Sequence, residues 1–399
     1  MATTKMPSFK GRDGWEFTDI SKLDFGSYPD AAAGDAAAAS GVERVIPDFD
    51  DAIRVVQVDG STVELPDGLP EGVTVTSLEA ARSQGLVPEG RLGALVDETV
   101  DPFVARNAAD GRGGLFVHVG AGVVLEQPVQ LTAVQTQPGT TLNQRTLVVV
   151  EDGASAEVWD QAVSAAADLD SLMTTIVELH VGDGANLRYV GVQGLSESSW
   201  VFGTQQGEVG RDGNLDWVSL GFGAAKGRVR IASRLAGPGA NGKVTGAYAS
   251  RGTQHLDFDT FQEHAAENTT SDLAFRGVLG DSATSVWSGM IRVDPGAQRT
   301  DAFQESRNLL LSREAHADAI PGLEIEADDV RCTHAAAIAQ LDEDQIFYLR
   351  ARGLPEEQAR RLVIEGFLAE LVERFEEGRS RDALAEALEA RLDRVIVAT

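Results

Sequence analysis

The chain of 399 residues contains one cysteine, Cys332, and no long apolar run. A single cysteine cannot form an internal disulfide, and without an apolar stretch of about 20 residues no membrane-spanning helix is expected. Met1–Lys5 is not followed by an apolar stretch and a small-residue cleavage site, so we expect no secretory signal. These absences predict a cytoplasmic protein with a globular core, which the apolar fraction of 43% allows.

Positive charge is also scarce. The chain has 62 acidic residues against 34 basic ones, a formal net charge of -28. Such a field repels phosphate backbones and anionic headgroups, which argues against nucleic acid or a membrane surface as partner. The acidic residues alternate with periodic apolar residues instead of forming one block. We therefore interpret them as a folded surface adapted to high salt, where counterions screen self-repulsion.

Several catalytic and nucleotide-binding motifs are missing from the sequence. It contains no Gly-x-x-x-x-Gly-Lys-Ser/Thr loop, no Gly-x-Ser-x-Gly elbow, no His-Glu-x-x-His pair and no Cys-x-x-Cys pair. The first absence argues against ATP binding through a P-loop. The others argue against a nucleophile-elbow hydrolase, a zinc protease and a dithiol site.

A degenerate repeat fills the middle of the chain, from about residue 114 to residue 305. Short runs rich in Val, Leu and Thr are separated by glycine turns, as in VVVEDGASAEV, ELHVGDGANLRYV and GEVGRDGNLDWV. The central glycines, at positions 122, 153, 184, 213 and 239, are 31, 31, 29 and 26 residues apart. No helical segments separate the strands, which argues against βαβ units, and a propeller blade needs about 40 residues. The repeat predicts a mainly β protein with a β-solenoid core.

The region before the repeat has mixed local signals. VVQVDGSTVEL, from Val55 to Leu65, predicts a hairpin that turns at Asp59-Gly60. SLEAARSQGLV, from Ser77 to Val87, predicts a short helix that Ser77 caps.

The chain becomes helical after Gln340. Asp342 is a candidate N-cap, with Gln345 three residues later as in a capping box, and Gly353 ends this helix. Pro355 opens the next helix, where its missing N–H costs nothing.

Apolar residues recur at helical spacing in the last two of three expected C-terminal helices. They are Leu362, Val363, Gly366, Phe367, Leu371 and Phe375 in one helix and Leu384, Leu388, Leu392 and Val395 in the other. Such a stripe more often packs against its own core than against a partner, and the sequence allows both interpretations.

The Cys-x-His pair formed by Cys332 and His334 is the strongest candidate for metal chemistry. Taken alone, the thiol is better explained as a small buried hydrophobe, and the imidazole as a hydrogen-bonded structural group. On a strand the two side chains would share one face and could ligate one metal together. Two ligands would still be missing, so a metal site that uses this pair would have to be shared with another chain across an interface.

A second candidate is the carboxylate pair Asp257 and Asp259 in HLDFDTFQEH. Solenoids can carry paired carboxylates for polysaccharide cleavage, and residues two apart on a strand share a face. Alternation alone produces such pairs, so a β-helical carbohydrate-active enzyme is kept as the alternative.

The C-terminal residues resemble a known family. The stretch SREAHADAIPGLEIEADDVRCTHAAAIAQLDEDQIFYLRARGLPEEQARRLVIEGF, residues 312–367, resembles the C-terminal signature of the SufB/SufD proteins of iron–sulfur cluster assembly. DPFVARNAADGRGGLFVHVGAGVVLEQPV, residues 101–129, is similar to the family's entry into its core domain. GWEFTDI, residues 14–20, is similar to the N-terminal element of the SufD branch.

This resemblance implies a right-handed parallel β-helix between helical terminal regions. We expect a mixed helical N-terminal region at 1–100, the β-helix at 101–335 and a helical domain at 336–399 that docks an ATPase. The implied partners are a SufB-like paralogue and a SufC-like ABC ATPase, with a homodimer possible when the chain is alone. The implied cofactor is a transient iron–sulfur cluster shared at an interface, with His334 as carried-over ligand and Cys332 as its neighbour. The chain itself is then a non-catalytic scaffold.

The SufD branch fits better than the SufB branch. RNLLLSREAHADAIP, before IPGLEI, lacks the cysteine of SufB chains, and CTHAAA replaces their Glu-His-Glu-Ala segment. The sequence departs from the family at Ala335, where a glycine follows the histidine. A SufB-like scaffold that holds a cluster by itself remains an alternative, which a single cysteine disfavours.

Overall fold

The computed structural model describes residues 6–7, 14–110 and 112–396. Met1–Lys5, on which the expectation about a secretory signal rests, lies outside these residues. Within them the structure is mainly β, and most strands belong to two long sheets.

The strands and helices follow one another from the N-terminal to the C-terminal region. The strands are β1 (Ile53–Val58), β2 (Ser61–Glu64), β3 (Val73–Ser77), β4 (Leu115–Val119), β5 (Val129–Gln135), β6 (Thr141–Val150), β7 (Ser155–Ser164), β8 (Leu172–Val181), β9 (Asn186–Gly194), β10 (Trp200–Val209), β11 (Asn214–Gly221), β12 (Lys226–Leu235), β13 (Asn241–Ser250), β14 (His255–His264), β15 (Thr270–Leu279), β16 (Thr284–Val293), β17 (Asp301–Leu310), β18 (His316–Ile325) and β19 (Arg331–Gln340). The α-helices are α1 (Leu78–Ser83), α2 (Pro102–Asp110), α3 (Glu343–Ala351), α4 (Glu356–Val372) and α5 (Arg379–Ile396), and short 3-10 helices span Phe25–Ser27 and Ala36–Ala39.

Successive strands from β4 to β19 alternate between the two sheets, so that each pair of strands makes one coil. Sheet A has the order β18-β16-β14-β12-β10-β8-β6-β4-β3, and sheet B has the order β19-β17-β15-β13-β11-β9-β7-β5-β1-β2. Neighbouring coils pair in parallel and in register: Asn214 of β11 lies between Asn186 of β9 and Asn241 of β13. The predicted β-solenoid is confirmed.

Glycine turns join the strands at one corner of several coils. Gly153 and Gly184 both have φ of 66°, a left-handed conformation that costs glycine little. Each also bonds to the next coil, since the Gly184 N–H donates to the Arg211 carbonyl at 2.7 Å. One expected glycine behaves differently: in its coil the left-handed residue is Asp212, with φ of 52°, and not Gly213.

The space between the two sheets is a continuous apolar core. Alternate residues of each strand point into it, and the largest buried side chains include Trp217, Tyr248, Phe275 and Trp287. Coil stacking buries this face, which no single coil could do alone.

Other elements cover the outer faces of both sheets. On sheet A, α2 and the N-terminal segment pack together, and the Trp15, Phe103 and Phe202 rings lie in contact. On sheet B, α4 and α5 bury a cluster that includes Ile364 and Leu388. No helix within the described residues combines the length and the apolar content needed to cross a membrane.

The local predictions outside the repeat are largely correct. β1 and β2 form the hairpin, with Asp59 and Gly60 both at positive φ. Ser77 caps α1 by accepting from the Ala80 N–H at 3.2 Å, and Asp342 caps α3 by accepting from the Asp344 N–H at 2.9 Å.

Two residues of the predicted apolar stripe of α4 lie elsewhere. Leu362 is 49% exposed and Gly366 is also exposed, whereas Ile364, Leu368 and Leu371 are buried. The face of α4 that packs against the rest of the protein is rotated away from Leu362. The stripe of α5 is buried as predicted.

Candidate functional site

The last coil of the solenoid, formed by β18 and β19, has no further coil stacked on it. Within the described residues, β18 pairs only with β16 and β19 only with β17. Each strand is ten residues long and therefore presents one edge of backbone N–H and C=O groups without a neighbouring strand. Such edges are templates for pairing with another chain.

This coil exposes several apolar side chains. Ile320 and Ile325 of β18 are 43% and 42% exposed, and Ile338 of β19 is 45% exposed. In β19, alanines at positions 335–337 and 339 flank Ile338. An exposed apolar edge of this length is characteristic of a surface that another protein covers.

Cys332 and His334 lie on this last strand and share its inner face. In-register pairing sets Cys332 beside Ala302 and His334 beside Gln304 on β17. Ala302 and Gln304 are both buried between the sheets, so the cysteine and the histidine continue the same face at the open mouth of the core.

The two candidate ligands have different surroundings. Cys332 is half-buried and packs near Leu323 and Val330; burial and the nearby Asp301 carboxylate raise the pKa of its thiol above the ordinary value. His334 is exposed and has no hydrogen-bond partner among the described residues. The imidazole is therefore the more available ligand, because a thiol must lose its proton to bind metal.

The coil beneath His334 is held in place by Gln304, a residue that the sequence did not single out. Its amide Nε2 donates to the carbonyls of Gly289 and Gly322, at 3.2 and 3.0 Å. These bonds tie β17 to β16 and β18 across the core, directly below His334.

The donor set at this end is incomplete by itself. No cluster of three or more His, Cys, Asp or Glu side chains with metal-binding geometry occurs within 6–7, 14–110 and 112–396. A tetrahedral thiolate or imidazole site needs four ligands, so the pair Cys332 and His334 fits part of a shared site only.

The carboxylates considered for sugar cleavage do not line an open groove. Asp257 is 4% exposed on the outer face of sheet A, where the N-terminal segment covers it. It accepts from the Thr18 hydroxyl at 2.5 Å and lies 3.5 Å from Arg228, which also binds Asp259 at 2.9 Å. These contacts argue against the alternative of a β-helical carbohydrate-active enzyme, because Asp257 is covered by the N-terminal segment and Asp259 pairs with the same arginine.

We expect the Asp257→Asn variant to reveal this buried acid through the pH dependence of stability. Burial raises the pKa of Asp257 to about 6 from 3.8. Because the folded pKa exceeds the unfolded one, the stability this group contributes is full below about pH 4 and is lost as the pH rises through 6. The free energy of unfolding of the variant, relative to that of the native protein, should therefore rise by about 3 kcal/mol between about pH 4 and pH 7.

Urea unfolding of both proteins at the two pH values measures this difference. Asp318→Asn, which changes an exposed carboxylate of β18, is the control and should show no such trend. A pH-independent difference for Asp257→Asn would contradict the assignment.

Comparisons with known proteins match most of the chain to one family. Residues 133–367 match the model of the SufBD core domain of the SUF iron–sulfur cluster assembly system, and residues 6–131 match the SufBD N-terminal region. The iron–sulfur cluster assembly protein SufD of Bacillus subtilis is 32% identical over 367 residues, 90% of this chain and 83% of that protein. A SufBD family protein of Mycobacterium tuberculosis is 34% identical over 54% of this chain and 57% of its own length.

The chain therefore belongs to the SufBD family of iron–sulfur cluster assembly proteins. Within that family it is a homologue of SufD.

Proposed function

We propose that this chain is a SufD-type scaffold subunit that pairs with a SufB-like chain and supports the assembly of an iron–sulfur cluster at their interface. The open last coil is the observation that carries the proposal, because an edge of ten residues on each sheet, unpaired within the described part of the chain, calls for a partner strand. Pairing with a SufB-like chain would continue both sheets across the interface. A homodimer through the same edge is the arrangement expected when that partner is missing.

In this proposal His334 supplies one ligand to the cluster, which is cargo and not a resident cofactor. A cysteine-richer partner supplies the thiolates that this chain lacks. The exposed imidazole can reach across the interface without any change in the chain, whereas half-buried Cys332 supports the strand beside it. The chain itself performs no catalysis.

The C-terminal helices offer a second surface, for a SufC-like ATPase that would hydrolyse the ATP. Phe347 and Tyr348 of α3 are 72% and 56% exposed. Tyr348 also lines an open concavity of about 390 Å³ between α3 and α4, together with Leu349 and Val363. We keep the division into 1–100, 101–335 and 336–399, with docking in the last part, as part of the proposal.

A movement of α4 would reach the last coil through a short ionic network. Arg276 of β15 donates to Glu305 of β17 at 2.6 Å and to Glu370 of α4 at 3.0 Å. Glu305 is the register partner of Ala335, the residue next to His334. A pull on the helices by a dimerising ATPase would therefore act one strand away from the candidate ligand.

The double variant Phe347→Ser/Tyr348→Ser should lose the ATPase partner while keeping its fold. Removing two exposed aromatic anchors from an interface typically costs about 2 kcal/mol or more each. We expect recovery of the ATPase in pull-downs to fall at least about ten-fold, with an unchanged unfolding temperature. Leu65→Ser, at a similarly exposed position of the N-terminal hairpin, is the matched control. Full recovery by the double variant would move the docking surface elsewhere.

Anaerobic reconstitution tests the proposed function. The chain, a SufB-like chain and a SufC-like ATPase are mixed with iron, a sulfide source and ATP, and the visible absorption of the cluster is followed. We expect faster and greater cluster formation with all three than without this chain. Equal formation without it would refute the scaffold role.

A further inference from the structure

A concavity of about 330 Å³ opens between α5, the N-terminal segment at 41–45 and the turns that follow several strands of sheet B. None of its residues belongs to the site described above. It collects parts of the chain that are far apart in sequence, and its lining is rich in arginine.

The charge of this concavity is opposite to that of the chain. Four arginines line it: Arg44, Arg251, Arg391 and Arg394. Three carboxylates accompany them, Glu43 and Glu197 in the lining and Asp48 beside Arg44, which leaves an excess of one positive charge in a protein whose net charge is -28. Because the acidic surface repels anions at long range, a local excess of positive charge is needed to hold a small anion, and this concavity has one.

One wall of the concavity is a fixed ionic network. Arg391 is 7% exposed and donates to the Ala249 carbonyl, to Gln254 and to Glu197, each at 2.9 to 3.0 Å. Arg251 donates from Nε to both oxygens of Glu197, at 2.9 and 3.1 Å. Through these bonds, Arg391 and Glu197 hold α5 on the core, which is a structural role.

The other arginines keep hydrogen-bonding capacity toward the concavity. Arg44 bonds through Nη1 to Asp48 and Arg394 through Nη2 to Glu43, so each uses one terminal nitrogen of its guanidinium in the side-chain bonds of the described part. Arg251 donates from Nη1 to the carbonyl of Arg394 at 3.1 Å, which occupies an acceptor at the end of α5 that would otherwise face an anion. Burial lowers the pKa of the Arg44 guanidinium below its ordinary value, as expected for a cation that lacks full compensation.

We infer that this concavity binds a small multivalent oxyanion, with Arg44, Arg251 and Arg394 as its ligands. Guanidinium groups recognise phosphate and carboxylate oxygens through paired hydrogen bonds, and the volume suits a diphosphate or a tricarboxylate. The bound anion would bridge the N-terminal segment, a turn of the core and α5. This inference does not depend on the proposed scaffold function.

Thermal unfolding of the full chain tests the inference, with sodium diphosphate and citrate as two separate probes. Chloride is adjusted to keep the ionic strength constant, and EDTA removes metal effects. We expect a saturable rise of about 2 °C or more at ten times the dissociation constant, since a ligand bound only by the folded state stabilises it. A rise with diphosphate alone identifies a phosphate site, and a rise with citrate alone a carboxylate site. No saturable rise with either probe overturns the inference.

Variants then assign the binding to this concavity. Arg44→Gln/Arg394→Gln should bind the effective probe at least about ten-fold more weakly by isothermal titration calorimetry. Arg44→Gln alone serves if the double variant does not fold, and it should also weaken binding. Arg299→Gln removes an exposed arginine paired with Glu267 at a distant turn and should bind like the native chain. Native affinity in the Arg44 variants would place the anion elsewhere and refute the assignment.

Discussion

Replacing Glu178 with Ala should lower the free energy of unfolding by about 3 kcal/mol, the largest stability effect that we expect from one buried ion pair of the solenoid. Glu178 lies on the outer face of β8 with no exposure. It accepts from Arg145 at 2.8 Å and from the backbone N–H groups of Gly93 and Leu95 at 3.0 and 3.1 Å. The variant leaves those groups without their acceptor and the buried arginine with Glu98 alone, at 2.8 Å.

Urea unfolding curves measure this loss. Glu178→Gln keeps one oxygen acceptor without the charge, so its loss should be intermediate. Glu267→Ala, which breaks an exposed ion pair with Arg299, should cost less than about 1 kcal/mol. A loss of that small size for Glu178→Ala would mean that the loop at 93–96 is not anchored as the structure has it.

Replacing His334 with Ala should reduce cluster formation in the reconstituted mixture at least about ten-fold, because metal sites generally lose affinity and activity steeply when a ligand is removed. The unfolding temperature should not change, since the imidazole is exposed. Visible absorption under anaerobic conditions follows the cluster.

His316→Ala is a matched control for this variant. His316 is equally placed on the last coil, in β18, but it faces outward and pairs with Asp318 at 3.3 Å. Its removal should leave cluster formation intact. Cys332→Ser separates the two candidate ligands, because a supporting thiol and a bound thiolate predict a small and a large loss respectively. Normal assembly by the His334 variant would remove this residue from the mechanism.

The fold was predictable where local rules and the repeat agree. Asp59-Gly60 favours a hairpin turn, Ser77 and Asp342 favour helix starts, and the regular glycines mark the coil corners. All of these depend on interactions within a few residues or on the stacking of identical units. The exchange of Gly213 for Asp212 as the left-handed residue shows the limit, since aspartate also tolerates that conformation.

Contacts between segments that are far apart in the sequence were not predictable. Asp257 looks like half of an open carboxylate pair because nothing nearby indicates that Thr18, 239 residues away, lies on it. Leu362 fits an apolar stripe by spacing, yet the packed face of α4 is set by α5 and sheet B. The exposure of Phe347 and Tyr348 was missed for the same reason.

The candidate site was predictable in part. Strand alternation alone sets Cys332 and His334 on one face, and the structure has them so. Cys332 and His334 differ in burial because they lie at the end of the solenoid, where β19 has β17 as a neighbour on one side and no described strand on the other. Sequence periodicity identifies the coils but does not tell which of them is left uncovered.

The most direct test of the scaffold account is an affinity pull-down of this chain from its native host, at the salt concentration of that host, with mass spectrometry of the proteins recovered. The account predicts that an ABC-type ATPase and a paralogue richer in cysteine are recovered together in comparable amounts. Recovery of neither, with the captured chain still folded, would contradict it.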